Sequence, residues 1–212
     1  MRIVTLFIIA LAIAAGGWFL VGKMSPSSPT GEAGAIGEVS VYQGAGETNL
    51  DLESAENVLY LDLTAGRVVI QMRPDLAPKH IQRIKELVRQ GYYDGLSFHR
   101  VIEDFMAQGG DPDGTGAGGS GVKIPGEFSK AKFVRGVVGM ARSRDENSAD
   151  SQFYIMLGDG RWLDGKYTVW GEVVEGMDHV DAIKKGNASM NGKIMGEPDK
   201  ILKMQIKADA GE

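Results

Sequence analysis

Short apolar runs separated by glycine-rich turns fill the sequence from about Leu50 to the C-terminus. The chain has 30 glycines among 212 residues, and many of them stand in small clusters. Runs such as "LSFHRVI", "DFMAQGG", "SQFYIML" and "TVWGEVV" have the length of strands rather than helices. "NVLYLDLTAGRVVIQM" holds two such runs around a short turn and predicts a β-hairpin. "KILKMQIKA" alternates apolar and polar residues and predicts a closing strand.

Two segments interrupt this strand-like pattern. In the first, Ile81, Ile84, Leu87 and Val88 recur at helical spacing, and the segment from Pro78 to Gly91 has a proline at its start and a glycine at its end. The second, "GMDHVDAIKKG", predicts a short helix. Many strands with two isolated helices favour an antiparallel barrel or sandwich over alternating βαβ units, because two helices cannot cover both faces of a parallel sheet. They could cover the open ends of a barrel.

The N-terminus has a different character. A nearly unbroken apolar run covers residues 3–22, and about 20 apolar residues are needed for a helix to span a bilayer. Residues 1–23 are therefore expected to be an uncleaved signal-anchor, with a cleaved signal peptide as the alternative. Residues 24–50 are rich in Ser, Pro and Gly, which predicts a flexible linker.

Composition excludes several kinds of function. The net charge of −5 argues against binding to a nucleic-acid backbone. The absence of cysteine excludes disulfides, thiolate nucleophiles and cysteine metal sites. His80, His99 and His179 lack the spacing of a zinc site. The glycine-rich segment 111–121 matches neither a calcium loop nor a phosphate-binding loop, and it is interpreted as a surface loop. No nucleophile elbow is present.

Three motifs remain, and together they carry a family resemblance. They are "FHRVIEDFMAQGGD" (residues 98–111), "MARSRDENSADSQFYI" (residues 140–155) and "RWLDGKYTVWGEV" (residues 161–173). In this order and spacing they resemble the cyclophilin-type peptidyl-prolyl cis-trans isomerases. The resemblance extends from about Asn57 to the C-terminus, which gives an isomerase domain over residues 51–212.

The resemblance implies a fold and an activity. The fold is a closed eight-stranded antiparallel β-barrel capped by two α-helices, here preceded by an N-terminal hydrophobic helix. The activity is the acceleration of X–Pro isomerisation during folding of exported proteins. Neither a metal nor a cofactor is implied. A domain that binds proline-containing segments as a chaperone, with incidental isomerisation, is the alternative.

The resemblance also implies roles for individual residues. Arg100 would stabilise the twisted amide, and Gln108 would position it. Substrate-binding roles fall to residues around the proline ring and along the peptide: Phe105, Met106, Ala141, Arg142, Gln152, Tyr154, Trp162, Leu163 and Tyr167. Three of these depart from the usual family pattern, because Tyr154 replaces a phenylalanine, Tyr167 a histidine and Arg142 an asparagine.

Partners and location are expectations of the same kind. The expected partners are proline-containing segments of unfolded or folding proteins, and the membrane through the N-terminal helix if it is uncleaved. No nucleic acid is expected, and the protein is expected to be a monomer. The expected location is the periplasm, with residues 3–22 tethering the chain to the inner membrane.

Overall fold

The computed structural model describes residues 54–211. The expected anchor (1–23) and linker (24–50) lie outside the described residues. Within residues 54–211, no helix has both the length and the apolar character needed to cross a membrane. The regular elements of this part are β1 (Val58–Leu63), β2 (Gly66–Met72), α1 (Pro78–Arg89), β3 (Arg100–Ile102), β4 (Met106–Gly109), β5 (Val137–Met140), β6 (Phe153–Met156), β7 (Val169–Glu175), α2 (Met177–Asp181) and β8 (Ile201–Ile206).

The eight strands form one antiparallel sheet. Their order is β3-β4-β6-β5-β7-β2-β1-β8, and every neighbouring pair is antiparallel. The predicted hairpin is confirmed as β1 and β2, and the predicted closing strand as β8. Short 3-10 turns lie between or beside these elements, at Ala55–Asn57, Arg161–Leu163, Ala188–Met190 and Lys207–Asp209.

The prediction of a closed barrel is wrong in one respect. No strand ladder joins the described strands β3 and β8 at the two ends of the sheet, so the sheet is a half-barrel. Isolated bridges, Ser97 with Lys200 and Arg100 with Lys193, stand in this gap. The chain before β8 cannot extend into a long strand, because Asn191, Gly192 and Gly196 all have positive φ.

Helix α1 follows the sequence pattern. It begins at Pro78, and Ile81, Ile84, Leu87 and Val88 are all buried on its inner face. After the helix, Gly91 adopts a left-handed conformation with φ of 67°, as expected for a helix C-terminus. The second predicted helix is confirmed but is short, because α2 has only five residues.

The buried apolar residues form two clusters, and single strands contribute residues to both. The larger includes residues of α1 and of most strands, among them Ala107 of β4. The smaller includes Met106, the neighbour of Ala107. Side chains alternate faces along a strand, so Gln108 emerges on the same side as Met106. Strand β4 therefore presents an apolar and an amide side chain to one surface, which is where the site lies.

Candidate active site

A continuous strip of polar side chains begins at Arg100. Arg100 on β3 stands opposite Gln108 on β4, and its Nη1 donates a hydrogen bond to Gln108 Oε1 at 3.0 Å. Gln108 Nε2 donates to Gln152 Oε1 at 2.9 Å, and Gln152 Nε2 donates to the carbonyl of Gly118 at 2.8 Å. We call Arg100, Gln108 and Gln152 the polar strip. A guanidinium can only donate, so it fixes the orientation of each amide in turn.

Gly118 can end the strip because its loop is held in place by Asp111. The carboxylate of this buried residue accepts hydrogen bonds from the backbone N–H groups of Asp113, Thr115 and Gly116. Burial raises the pKa of this carboxyl, but hydrogen bonds from the backbone of Asp113, Gly116 and Gly118 bring it below its ordinary value. The surface loop expected at 111–121 therefore contributes a carbonyl to the site.

Arg100 is held from its other edge by a residue that the sequence analysis missed. Its Nε donates to the carbonyl oxygen of Asn191 at 3.0 Å, and its Nη2 donates to Asn191 Oδ1 at 2.9 Å. Asn191 lies in the chain between α2 and β8, about 90 residues from Arg100 in sequence. Its Asn-Gly pair signals only a turn, so no pattern in the sequence connects it with Arg100.

The charge of Arg100 faces neutral partners only. Within residues 54–211 no carboxylate forms an ion pair with this guanidinium. Burial lowers its pKa from the ordinary value, and the nearby Tyr167 acts in the opposite direction. An arginine nevertheless stays charged at any physiological pH. The strip therefore presents a cation whose charge no neighbouring anion neutralises.

An apolar pocket adjoins the polar strip. Met106, Tyr154 and Leu163 belong to one buried cluster, and Phe105 and Tyr167 pack against it partly exposed. We call these five residues the apolar pocket.

Trp162 stands at the rim of the apolar pocket. Its ring centroid lies 5.2 Å from that of Phe105, and 52% of the residue is exposed. The pocket therefore offers aromatic and thioether surface beside the strip, a suitable surface for a small aliphatic ring.

Tyr154 fits the apolar pocket because of a glycine that the sequence analysis did not single out. A Cβ atom on Gly139 would lie 2.6 Å from Tyr154 Cζ and 2.7 Å from its hydroxyl. The hydroxyl thus occupies space that only glycine leaves open. It is buried without a hydrogen-bond partner in the described part of the chain, and burial raises its pKa well above the ordinary value.

The two remaining departures from the family pattern contact each other. The Arg142 guanidinium lies 4.5 Å from the centroid of the Tyr167 ring, within the range of a cation–π contact. Its Nη2 also donates to the carbonyl of Lys166 at 2.8 Å. The Arg142 side chain therefore lies over Tyr167. Beside it, the Ala141 N–H donates to the carbonyl of Gln152 at 2.9 Å, which joins this segment to the polar strip.

The histidines stand outside the polar strip and the apolar pocket. His99 is buried next to Arg100, and burial lowers its pKa, so it is neutral at pH 7. His80 is buried in α1, where its Nδ1 lies 2.6 Å from Glu127 Oε2. Among residues 54–211, no group of three or more His, Cys, Asp or Glu residues is arranged to hold a metal ion.

Comparison with known proteins agrees with this geometry. The family model described as "Cyclophilin type peptidyl-prolyl cis-trans isomerase/CLD" matches residues 58–206. A probable peptidyl-prolyl cis-trans isomerase of Brucella suis is 54% identical over 166 residues, which cover 73% of this chain and 84% of that protein. The human peptidyl-prolyl cis-trans isomerase-like 1 is 40% identical over 130 residues, covering 59% of this chain and 78% of that protein.

Solved structures are similar as well. A cyclophilin from Hirschia baltica superimposes with a TM-score of 0.64 at 28% identity, covering 74% of this chain and 76% of its own. A cyclophilin type peptidyl-prolyl cis-trans isomerase of Cryptosporidium parvum, determined in the presence of the dipeptide Ala-Pro, has the same TM-score at 26% identity. That match covers 70% of this chain and 98% of the other.

Proposed function

The chain belongs to the cyclophilin-type peptidyl-prolyl cis-trans isomerases, and we propose that Arg100 is its catalytic group and that its substrates are X–Pro bonds of exported proteins. Isomerisation of peptidyl-prolyl bonds is the activity of this enzyme. The proposal concerns the residues that perform the reaction and the polypeptides on which they act. It rests on the polar strip, the apolar pocket and the N-terminal sequence.

The reaction requires an electrostatic catalyst rather than a nucleophile. Rotation about the peptide bond has a barrier of about 18–20 kcal/mol, because the planar amide is stabilised by resonance. In the twisted state the proline nitrogen loses conjugation and becomes a better hydrogen-bond acceptor. A donor that is placed against this nitrogen binds the transition state more tightly than the ground state, and this difference accelerates the reaction.

Arg100 has donors to spare for this task. A guanidinium carries five N–H groups, and three are engaged by Gln108 and Asn191. One N–H on each terminal nitrogen is left for the substrate. These two donors sit on a rigid planar group whose orientation is already fixed, which is the arrangement that stabilises developing charge most effectively.

The apolar pocket holds the proline ring while the X–Pro amide bond rotates. Met106 begins β4, directly after Phe105, and Gln108 follows Met106 by two residues, so the pocket and the polar strip share one strand. A proline ring in the pocket would place its nitrogen beside the strip. The adjacency of an apolar pocket and an unneutralised cation is the observation that carries the proposal.

An isomerisation assay on a proline-containing tetrapeptide tests the role of Arg100. We expect Arg100→Ala to lower kcat/KM by about 10² to 10³-fold, the range found when an oxyanion-type donor is removed. Peptide binding, measured by titration calorimetry, should change much less. An Arg100→Ala protein with the full rate would remove Arg100 from the mechanism. It would also favour the alternative, in which the domain is a proline-segment-binding chaperone and isomerisation is incidental.

The polar strip supports an isomerase over a simple binding module. Capture of a proline ring needs only the apolar pocket. Holding a cation partly buried among neutral groups costs free energy, and capture of the proline ring alone would not require it. The groups of the site also come from one chain, which supports a monomer as the active form.

The N-terminal sequence supports action on exported proteins. The apolar run of residues 3–22 has the length of a membrane-spanning helix. A flexible linker of the composition of residues 24–50 has a root-mean-square span of about 30 Å. We propose that the run tethers the isomerase domain to the inner membrane on its periplasmic side, where the linker lets the domain reach emerging polypeptides.

Membrane fractionation tests the tether. The full chain should sediment with membranes, resist extraction by carbonate, and keep its N-terminal residues by mass spectrometry. A soluble protein that lacks part or all of residues 1–23 would show that the run is a cleaved signal peptide. Accessibility of the domain to protease added outside the inner membrane separates export from retention in the cytoplasm.

A further inference from the structure

The orientation of the Arg100 guanidinium is fixed by more than the polar strip. Gln108 engages only Nη1 of the guanidinium, so this contact alone lets the group swing about its long side chain. Asn191 engages Nε and Nη2 with two acceptors, its own carbonyl and its own side-chain oxygen. Two parallel bonds along one edge fix a planar group far more tightly than one bond does.

Asn191 presents both acceptors because of its unusual backbone. It follows the 3-10 turn Ala188–Met190 and has φ of 55° and ψ of 40°, in the left-handed region. Asparagine is among the few residues other than glycine that enter this region readily. Gly192 continues the turn with φ of 77°, and a Cβ there would lie 2.9 Å from the carbonyl oxygen of Val101.

The turn that carries Asn191 is attached to the strand that carries Arg100. The Val101 N–H donates to the Gly192 carbonyl at 2.8 Å, and the Gly186 N–H donates to the Val101 carbonyl at 2.9 Å. Within the turn, the Gly192 N–H donates to the Asn187 carbonyl, and Asn187 Oδ1 accepts from the Ser189 N–H, each at 2.9 Å. The acceptors of Asn191 are thereby held at a fixed place beside the guanidinium.

We infer that Asn191 is a positioning residue, which holds the Arg100 guanidinium in the orientation that directs its two remaining N–H groups at the substrate amide. The inference deepens the proposed function and rests on the role of Arg100 in it. Fixing the guanidinium beforehand removes the need to order a long, flexible side chain at the moment of reaction. Neither the free donors nor the apolar pocket involves Asn191 directly, so its effect passes entirely through Arg100.

The test uses Asn191→Gly in the full chain. Glycine accepts the left-handed backbone and keeps the carbonyl acceptor, so this variant deletes only the side-chain contact. We expect kcat to fall about 10-fold, since small misplacements of a catalytic group have effects of this order, with KM changed less than 2-fold and the thermal unfolding temperature nearly unchanged. The control is Ser189→Ala in the same turn, whose hydroxyl contacts Asn187 and not the guanidinium; it should keep the wild-type kcat.

A double-mutant cycle separates positioning from a merely structural role. In an Arg100→Ala background, Asn191→Gly should cause no further loss of rate. A wild-type kcat for Asn191→Gly, or an equal loss with and without Arg100, would overturn the inference while the role of Arg100 stands. If Arg100→Ala alone keeps the full rate, the proposed mechanism falls first and the inference falls with it.

Discussion

The polar strip and the apolar pocket lie side by side and are built by opposite means. The strip depends on direction, because three hydrogen bonds of 2.8–3.0 Å run along it from Arg100 through Gln108 and Gln152 to the carbonyl of Gly118. The pocket depends on packing, as between the rings of Tyr154 and Tyr167, whose centroids lie 6.2 Å apart. All three departures from the usual family pattern contact or line the pocket, and none falls in the strip.

This contrast has a physical explanation. An amide or guanidinium in the strip cannot be replaced without leaving a part-buried donor or acceptor unpaired. A packed aromatic can be replaced if the surrounding space is adjusted, as Gly139 allows for Tyr154. Directional contacts therefore fix residue identity, whereas packing fixes only shape and volume.

Arg100→Lys should have the largest effect. A lysine keeps the positive charge, but its single nitrogen cannot reach Gln108 and both acceptors of Asn191 and still face the substrate. We expect kcat to fall about 10²-fold, measured by the tetrapeptide assay at saturating substrate. Arg89→Lys is the matched control, because Arg89 is exposed and pairs with Glu56 and Asp209 at the surface; its rate should equal that of the wild type. A fully active Arg100→Lys would show that charge alone is sufficient.

Phe105→Ala should have a smaller effect of a different kind. Phe105 offers apolar surface to the proline ring equally in the ground and transition states, so its loss weakens binding without changing the barrier. Burial of such a side chain contributes about 1.5–3 kcal/mol, and we expect KM to rise about 10-fold at a nearly constant kcat. Val174→Ala, at an exposed position of β7 outside the pocket, serves as the control. A selective fall in kcat would place Phe105 in the chemistry instead.

Tyr154→Phe should slightly stabilise the protein. It removes a buried hydroxyl that has no partner within the described residues, and we expect the free energy of unfolding to rise by up to about 1 kcal/mol in urea titrations. Tyr93→Phe is the matched control, because the equally buried Tyr93 hydroxyl donates to the Ser151 carbonyl at 3.1 Å. That change should destabilise the protein by about 1 kcal/mol. Equal changes in both variants would contradict this reading of Tyr154.

The smallest expected effect is that of pH on catalysis. Arg100 stays charged although burial lowers its pKa, because an arginine titrates far above this range. His99 stays neutral because burial lowers its pKa, so kcat/KM should vary less than about 2-fold between pH 7 and 9. Stability should behave differently. His80 also has a pKa lowered by burial, so below about pH 6.5 the unfolded chain binds protons that the folded chain does not.

The free energy of unfolding should therefore be highest above pH 6.5 and decline as the pH falls from there through the folded-state pKa values of His80 and His99. Urea titrations at pH 7.5 and 5.5 measure this decline. A bell-shaped rate profile around pH 7, or a stability that rises on acidification, would contradict the assignment of these histidines as neutral and uninvolved in the reaction.

Local elements of the fold could be predicted from the sequence because they depend on periodicity. Strands β1 and β2 and helix α1 appeared where the pattern of apolar residues indicated. Within the apolar segment of residues 132–141, only Val137–Met140 forms a strand, since Gly136 has φ of 90° and interrupts the extended backbone. The opening between β3 and β8 was not predicted, because it depends on the left-handed residues of a distant segment.

By itself, the sequence determined the family, the strip of Arg100, Gln108 and Gln152, and the presence of an apolar pocket, because these residues stand in three motifs of fixed spacing. Only the tertiary structure identified Asn191 as the partner of Arg100 and Gly139 as the space for Tyr154. Both relations join residues that are distant in the chain and ordinary in type. A contact of this kind depends on the tertiary path of the chain, which brings distant segments together, and no local pattern of side chains predicts that path.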